Sequence, residues 1–146
     1  MELIVRKAQE KDLDGLDQVM LVISDRAGDR ETVKTLLRKI DGDPQKYLLV
    51  AEDKDTGTLC GSLLGVVFED ICDSCRPILL VENVAVLEDY QGKGVGRRMF
   101  QEIEAWGKQV WNCHYEILVS GMNRPGAHKF YQALGFEEVK GFKKNL

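Results

Sequence analysis

The stretch VENVAVLEDYQGKGVGRRM, residues 81–99, joins the two patterns that decide the fold. Its first part is apolar on both faces except at Glu82 and Asn83, which is typical of a strand at the centre of a sheet. Its second part places three alternating glycines directly before a run with the apolar spacing of a helix. Glycine costs about 0.5–1 kcal/mol inside a regular element. Two explanations of these glycines are possible: a ligand that needs bare backbone amides, or a simple turn.

The residues before this stretch predict two helices and three strands. Residues 3–8 form an apolar, β-branched run that predicts the first strand. Residues 12–23 carry one apolar helix face, and a second helix is predicted after an N-cap at Asp29. KYLLVAED (46–53) and LCGSLLGVVFED (59–70) predict a hairpin whose tight turn ends at Gly57.

The residues after the stretch predict a helix from Val95, a strand over YEILVS (115–120) and a last helix over RPGAHKFYQALG (124–135). Pro125 suits the first turn of that helix and Gly135 its C-cap. FEEV (136–139) and FKKNL (142–146) are predicted as closing strands. The sequence thus predicts one α/β (α+β) sandwich, in which about four helices flank a mixed, mostly antiparallel sheet of six or seven strands.

The charge and hydropathy of the chain exclude several classes of protein. The formal net charge of the 146 residues is -4, which argues against a nucleic-acid binder and suits a cationic partner such as an amine. The longest apolar runs, such as residues 63–68, are too short to span a bilayer, so no membrane partner is expected. The N-terminus lacks the pattern of a signal peptide. A cytoplasmic location is therefore the default expectation.

The four cysteines are most simply explained as reduced thiols. Cys72 and Cys75 form a C-x-x-C motif, which leaves a metal or redox role as the alternative. A structural zinc site would need a second pair, and the sequence offers only the adjacent Cys113 and His114. We therefore expect no metal.

A strand that ends in a glycine turn and feeds a helix N-terminus is a place where anions bind, because the first helical N–H groups have no internal partner. Lys93, Arg97 and Arg98 add positive charge there. No Ser or Thr follows Lys93, so this is not a Walker loop. The glycine spacing and late position also exclude a dinucleotide-binding fingerprint.

The pattern Gln91-x-x-Gly94-x-Gly96, after the strand VENVAVLEDY, resembles the acetyl-CoA signature of the GNAT superfamily of N-acetyltransferases. RPGAHKFYQALGF (124–136) resembles the second motif of that family, a helix that carries Phe-Tyr and is followed by Gly-Phe. The order of the elements agrees as well, so the resemblance covers essentially the whole chain. It implies a single N-acetyltransferase domain over residues 1–146 with acetyl-CoA as co-substrate.

The resemblance also implies which residues hold acetyl-CoA, each with a structural alternative. The main chain of the glycine turn would wrap the pyrophosphate, although the turn could also merely cap a helix; these residues are Gln91, Gly92, Lys93, Gly94, Val95, Gly96 and Arg97. The backbone of Val84, Ala85 and Val86 would lie along the pantetheine arm, in what could equally be an ordinary core strand. Asn123 and Ala127 would lie near the cofactor, and Asn123 is also a candidate helix N-cap.

Two residues are candidates for proton transfer. Tyr131 carries a phenol with a pKa of about 10, which can donate a proton to the departing CoA thiolate; the alternative is a core aromatic residue. Glu82 can accept the proton of an incoming ammonium group if burial raises the pKa of its carboxylate. The alternative for Glu82 is a structural carboxylate satisfied by a backbone amide or an arginine.

The predicted function is transfer of an acetyl group from acetyl-CoA to a primary amine by direct attack, because no cysteine lies in either motif to form an acetyl-enzyme. The expected acceptor is a small amine metabolite, an amino sugar or an amino-sugar antibiotic. Two alternatives remain open: a non-catalytic, acyl-CoA-binding regulatory domain, and an enzyme that acetylates a protein N-terminus or lysine. The sequence also leaves a homodimer open.

Overall fold

The computed structural model describes all 146 residues as five strands, four α-helices and two single-turn 3₁₀ helices. The strands are β1 (Leu3–Lys7), β2 (Lys46–Asp53), β3 (Thr58–Phe68), β4 (Ile78–Val86) and β5 (Tyr115–Ile117). The α-helices are α1 (Leu13–Met20), α2 (Arg30–Asp41), α3 (Val95–Gln109) and α4 (Pro125–Ala133). The 3₁₀ turns are Glu10–Asp12 and Glu88–Tyr90. None of these helices combines the length and the apolar character needed to cross a membrane.

The five strands form one mixed sheet in the order β1-β2-β3-β4-β5. The first three pairings are antiparallel, and β4 pairs with β5 in parallel. The chain therefore needs a crossover between β4 and β5, and α3 provides it. The sheet is thus antiparallel except at the β4–β5 pairing, which involves only the first three residues of β4.

Helices cover both faces of the sheet. Successive residues of a strand point to opposite faces, so one strand contributes to two buried clusters. On β2, Leu49 and Ala51 belong to the cluster beneath α3, whereas Val50 belongs to the cluster beneath α1 and α2. The first cluster fully buries four residues of α3, Val95, Met99, Phe100 and Ile103. The aromatic residues of α4 pack against the same cluster. The expected sandwich is confirmed, with two helices on each face of the central strands.

Several local predictions are confirmed. Asp29 caps α2, since its Oδ2 accepts a hydrogen bond of 3.1 Å from the Thr32 N–H. The β2–β3 hairpin turns at Gly57 with φ of +72°. Pro125 lies at the start of α4, and Gly135 follows that helix with φ of +97°. The first helix is shorter than predicted: α1 ends at Met20, so the apolar pattern up to residue 23 extends beyond it.

The prediction of six or seven strands is wrong, because residues 136–146 form no strand and β5 ends at Ile117. Beyond the N–H of Phe136, which bonds to α4, no backbone hydrogen bond involves this segment. Its apolar residues Phe136, Val139 and Phe142 recur every third position, whereas one face of a strand needs every second. Phe142 is accordingly 91% exposed.

Candidate functional site

The glycine turn between β4 and α3 is built on left-handed backbone at two positions. Gly92 has φ of +76° and Gly94 has φ of +85°, a region that costs an L-residue about 1–2 kcal/mol. A Cβ added at either position would meet no atom within 4 Å. Glycine is therefore required here by the backbone conformation, and the space beside the turn is open.

The turn presents a run of free backbone donors. The N–H groups of residues 92–97, six in succession, donate no hydrogen bond within the protein. The first N–H of α3 with a helical partner is that of Arg98, which bonds to the Gly94 carbonyl at 3.1 Å. No side chain caps the helix at Gly94. The positive end of α3 and these unpaired amides together form a site suited to an anion.

Hydrogen bonds from two side chains hold the turn against the sheet. The Gln91 Nε2 donates to the carbonyl of Val86 at 3.1 Å, and the Tyr90 hydroxyl donates to Oδ2 of the buried Asp53 at 2.9 Å. The hydroxyl of Tyr90 lowers the pKa of that carboxyl. The Nζ of Lys93 lies 5.6 Å from the centroid of the Tyr90 ring. Sequence reasoning missed Tyr90 and Asp53; the only available signal was the aromatic residue directly before Gln91.

Gly96, besides its place in the glycine turn, lies directly against α4. A Cβ at Gly96 would lie 2.7 Å from Cζ of Phe130 on α4. The absent side chain therefore makes room for the ring of Phe130, so that α4 can approach the first turn of α3. The N–H of Gly96 remains among the unpaired donors.

β4 and β5 separate just before the candidate residues, which leaves one edge of β4 open. Their pairing ends at Leu80 and Ile117, whereas β4 stays paired with β3 as far as Val86. In between, Asn83 and Val84 oppose a single residue of β3, and Asn83 has φ of +55°. This bulge increases the local twist of β4.

The residues on the open edge are held by their side chains. Val84 and Val86 pack against the cluster beneath α3, and Ala85 is buried in the cluster on the other face. On the edge that faces away from β3, the carbonyl of Val86 accepts the hydrogen bond from Gln91 Nε2, and β4 pairs with no strand beyond Leu80. An extended ligand with amide groups could therefore pair with this edge as a further strand would.

Tyr131 lies in an aromatic cluster with its hydroxyl free. Its ring centroid is 5.4 Å from that of Phe130, 5.8 Å from that of Phe136 and 6.0 Å from that of Phe100. The hydroxyl makes no hydrogen bond to the protein, so its proton is available to a ligand. Burial raises the pKa of the Tyr131 phenol, the charge of Arg124 lowers it and that of Glu82 raises it. The phenol therefore stays protonated at neutral pH and can act as a proton donor.

The charge of Glu82 raises the pKa of the Tyr131 phenol, but the surroundings of Glu82 differ from the expected ones. The side chain is exposed, so the burial expected of a general base is absent. It also forms no hydrogen bond or ion pair, so neither an amide nor an arginine satisfies it structurally. Glu82 is a free carboxylate where β4 leaves β5.

The remaining candidates lie at the ends of α3 and α4. Arg97 is exposed and makes no ion pair. Asn123 lies in the turn before α4, but the N-cap position is Arg124 and no side chain caps this helix, so the capping explanation of Asn123 is wrong. Ala127 is half-buried in the first turn of α4. The His, Cys, Asp and Glu side chains form no group of three placed to hold a metal ion.

A second titratable group that sequence reasoning missed lies on β5. Burial raises the pKa of Glu116 to about 9, and the carboxylate of Glu104 on α3 adds to this effect. Oε2 of Glu116 is buried without a hydrogen-bond partner. The charged form of this carboxyl is thus disfavoured, in the short stretch where β4 and β5 still pair.

The family model described as the acetyltransferase (GNAT) family matches residues 16–136 of the chain. The aminoglycoside N(6′)-acetyltransferase type 1 of Acinetobacter baumannii is 32% identical over 73 residues, which cover 48% of this chain and 49% of that protein. The chain thus spans about half the length of this curated relative.

Two solved structures share the fold over the full chain. The glucosamine-6-phosphate N-acetyltransferase from Arabidopsis thaliana superimposes with a TM-score of 0.87 at 15% identity, covering 100% of this chain and 99% of that chain. The aminoglycoside N-acetyltransferase AAC(6′)-Iy, in complex with the bisubstrate analogue CoA-S-monomethyl-acetylneamine, has a TM-score of 0.82 at 20% identity and full coverage of both chains.

Proposed function

The chain belongs to the acetyltransferase (GNAT) family, and from this premise we propose that it transfers an acetyl group from acetyl-CoA to a primary amine of a small molecule by direct attack. The observation that carries the proposal is the run of six unpaired N–H groups, residues 92–97, beside the open edge of β4. The N–H groups are donors for a pyrophosphate, and the open edge of β4 can pair with an amide-containing chain.

The residues present fit acetyl-CoA. The backbone of residues 91–97 would hold the pyrophosphate, with Arg97 and Lys93 adding positive charge. The open edge over Val84, Ala85 and Val86 would pair with the amides of the pantetheine arm, and Asn123 and Ala127 would lie on the α4 side. When bound, acetyl-CoA supplies an acetyl group already activated as a thioester. An N–H on the edge near Val86 would stabilise negative charge on the carbonyl oxygen.

Glu82 is the proposed acceptor of the amine proton. An amine is protonated at neutral pH and cannot attack until it loses that proton. The exposed carboxylate is not engaged by any cation of the protein, so it can attract the ammonium group and accept the proton directly or through water. Its exposure favours a role that combines attraction with proton transfer over that of a deeply buried base.

Tyr131 is the proposed proton donor to the departing thiolate. The raised pKa keeps the phenol protonated, and the hydroxyl has no competing partner within the protein. The aromatic residues around the ring, Phe100, Phe130 and Phe136, restrict its orientation. Such positioning is what an efficient proton transfer requires.

The positions of the cysteines support direct attack without an acetyl-enzyme. Cys60 is fully buried, and burial raises the pKa of its thiol to about 11, so the nucleophilic thiolate is disfavoured. Cys72 and Cys75 lie in the loop before β4, at the opposite end of that strand from the glycine turn.

The proposed acceptor class is a small cationic amine, in particular an amino sugar or amino-sugar antibiotic. The free carboxylate of Glu82 and the net charge of -4 both favour a cation. The partial similarity to an aminoglycoside acetyltransferase points in the same direction.

The experiment that tests the function is a panel of amines with acetyl-CoA. An aminoglycoside, glucosamine-6-phosphate, a polyamine and a lysine peptide would each be assayed for release of the CoA thiol, with a blank without amine to correct for the protein's own thiols. We expect acetyl-CoA-dependent turnover and a mono-acetylated product with an amino sugar. Turnover of the peptide alone would contradict the acceptor class. Calorimetric binding of acetyl-CoA without turnover of any amine would instead indicate a non-catalytic domain.

A further inference from the structure

The C-x-x-C motif at residues 72–75 has no part in the proposed acetyl transfer. It lies in the loop between β3 and β4, and both thiols are free and exposed. The nine residues of β4 separate it from the glycine turn, which corresponds to about 30 Å along the strand. Any chemistry of this motif is thus spatially separate from the acetyl-CoA site.

The backbone of the loop brings the two cysteines together. The N–H of Cys75 donates to the carbonyl of Cys72 at 3.0 Å, which closes a four-residue turn. In a turn of this kind the first and fourth Cα atoms lie within about 7 Å. A disulfide bond joins Cα atoms that are about 4.4–6.8 Å apart. The turn therefore already holds Cys72 and Cys75 at a separation that a disulfide can span.

Further contacts maintain this turn. The Asp70 Oδ1 accepts from the N–H of Cys72 at 3.0 Å, and Asp73 and Cys75 adopt positive φ of 53° and 57°. Next to Cys75, the Arg76 guanidinium donates to the carbonyls of Asn112 and Cys113 at 3.1 and 3.0 Å. The turn is thus held on one side by Asp70 and on the other by Arg76.

From this geometry we infer that Cys72 and Cys75 form a dithiol modification site, which closes reversibly to an intramolecular disulfide on reaction with a low-molecular-weight disulfide. One thiolate attacks the small disulfide R–S–S–R, forms a mixed disulfide and releases R–S⁻. The second thiolate attacks the protein sulfur of that mixed disulfide, closes the ring and releases the second R–S⁻. The two thiol protons end on two molecules of R–SH, so the protein is oxidised by two electrons and the reagent is reduced.

The charges of the loop indicate which reagent reacts best. Glu69, Asp70 and Asp73 place negative charge around the thiols, which disfavours an anionic disulfide such as that of glutathione. A neutral reagent, bis(2-hydroxyethyl) disulfide, is therefore the suitable probe. Because the ring closes over so few residues, the bond adds little stability, and an exposed disulfide of this kind is readily reduced again.

The test is intact-mass spectrometry of the full chain after treatment with this probe in the absence of CoA, whose thiol would reverse the reaction. We expect the wild-type chain to lose the mass of two hydrogen atoms without a lasting adduct, and dithiothreitol to restore it. Cys72→Ser and Cys75→Ser should each retain one stable hydroxyethylthio adduct on the remaining cysteine of the motif. Cys113→Ser, the matched control, should behave as the wild type does.

Three results would overturn the inference: two stable adducts on the wild-type chain, no reaction at all, or loss of the oxidised form in Cys113→Ser. The last result would show that the bond forms to Cys113 instead. The inference does not depend on the proposed function, since no step of the test requires acetyl transfer.

Discussion

Replacing Gly94 by alanine separates the backbone strain of the glycine turn from its role in holding acetyl-CoA. The new Cβ meets no protein atom within 4 Å, so the cost to folding comes from φ of +85° alone. That cost is about 1–2 kcal/mol, which lowers the melting temperature of a chain of this size by about 3–6 °C. Gly57→Ala, in the β2–β3 turn, is the matched control because Gly57 has φ of +72° and the same open surroundings.

The two variants should differ in their affinity for acetyl-CoA. The Cβ at position 94 enters the space beside the unpaired N–H groups and displaces bound phosphate oxygens from them. Loss of one hydrogen bond to a charged group costs about 1.5–3 kcal/mol, so we expect the affinity to fall by about 10- to 100-fold. Isothermal titration with acetyl-CoA measures this, and scanning calorimetry measures stability. Unchanged affinity in Gly94→Ala, or an equal loss in Gly57→Ala, would refute the assignment of the pyrophosphate to this turn.

Three further substitutions test the remaining roles. Tyr131→Phe should lower the rate of acetyl transfer by about 10²–10⁴-fold and leave stability and acetyl-CoA affinity unchanged. The control variant Tyr47→Phe should turn over normally. Full activity of Tyr131→Phe would show that another group protonates the thiolate. Glu82→Gln should slow turnover at neutral pH, and the deficit should shrink at alkaline pH as more amine is already neutral; a deficit that is constant with pH would indicate that Glu82 only positions the acceptor. Folding raises the pKa of Glu116 from 4.5 to about 9. Between these pH values the folded chain binds a proton that the unfolded chain has lost. The free energy of unfolding therefore falls as pH rises through this range. Glu116→Gln should flatten this slope in urea unfolding at a series of pH values, and an unchanged slope would place the titrating group elsewhere.

The strand, glycine turn and helix could be predicted from the sequence because their determinants are local. Positive φ at Gly92 and Gly94 and the apolar stripe of α3 follow from neighbouring residues alone. The same holds for the cap at Asp29, whose partner Thr32 is one turn away.

The features that sequence reasoning missed depend on contacts between distant parts of the chain. The exposure of Glu82 follows from where β4 leaves β5, and the role of Gly96 depends on the approach of Phe130 from another helix. The bond from Tyr90 to Asp53 joins the glycine turn to a hairpin that precedes it. The prediction of the two C-terminal strands was wrong for a different reason: the apolar residues of this segment recur every third position, which gives a strand no continuous apolar face.

The contact between Gly96 and Phe130 restricts how the two positions can change in laboratory evolution. A methyl group at position 96 needs the space of the Phe130 ring, so an alanine there is tolerated only after residue 130 becomes smaller. A smaller residue at 130 first leaves a void beside Tyr131, because the two rings are neighbours at 5.4 Å. Either single substitution is therefore unfavourable. A larger residue at position 96 requires a smaller residue at position 130 at the same time. In a library randomised at both sites, active clones that carry a larger residue 96 should also carry a smaller residue 130.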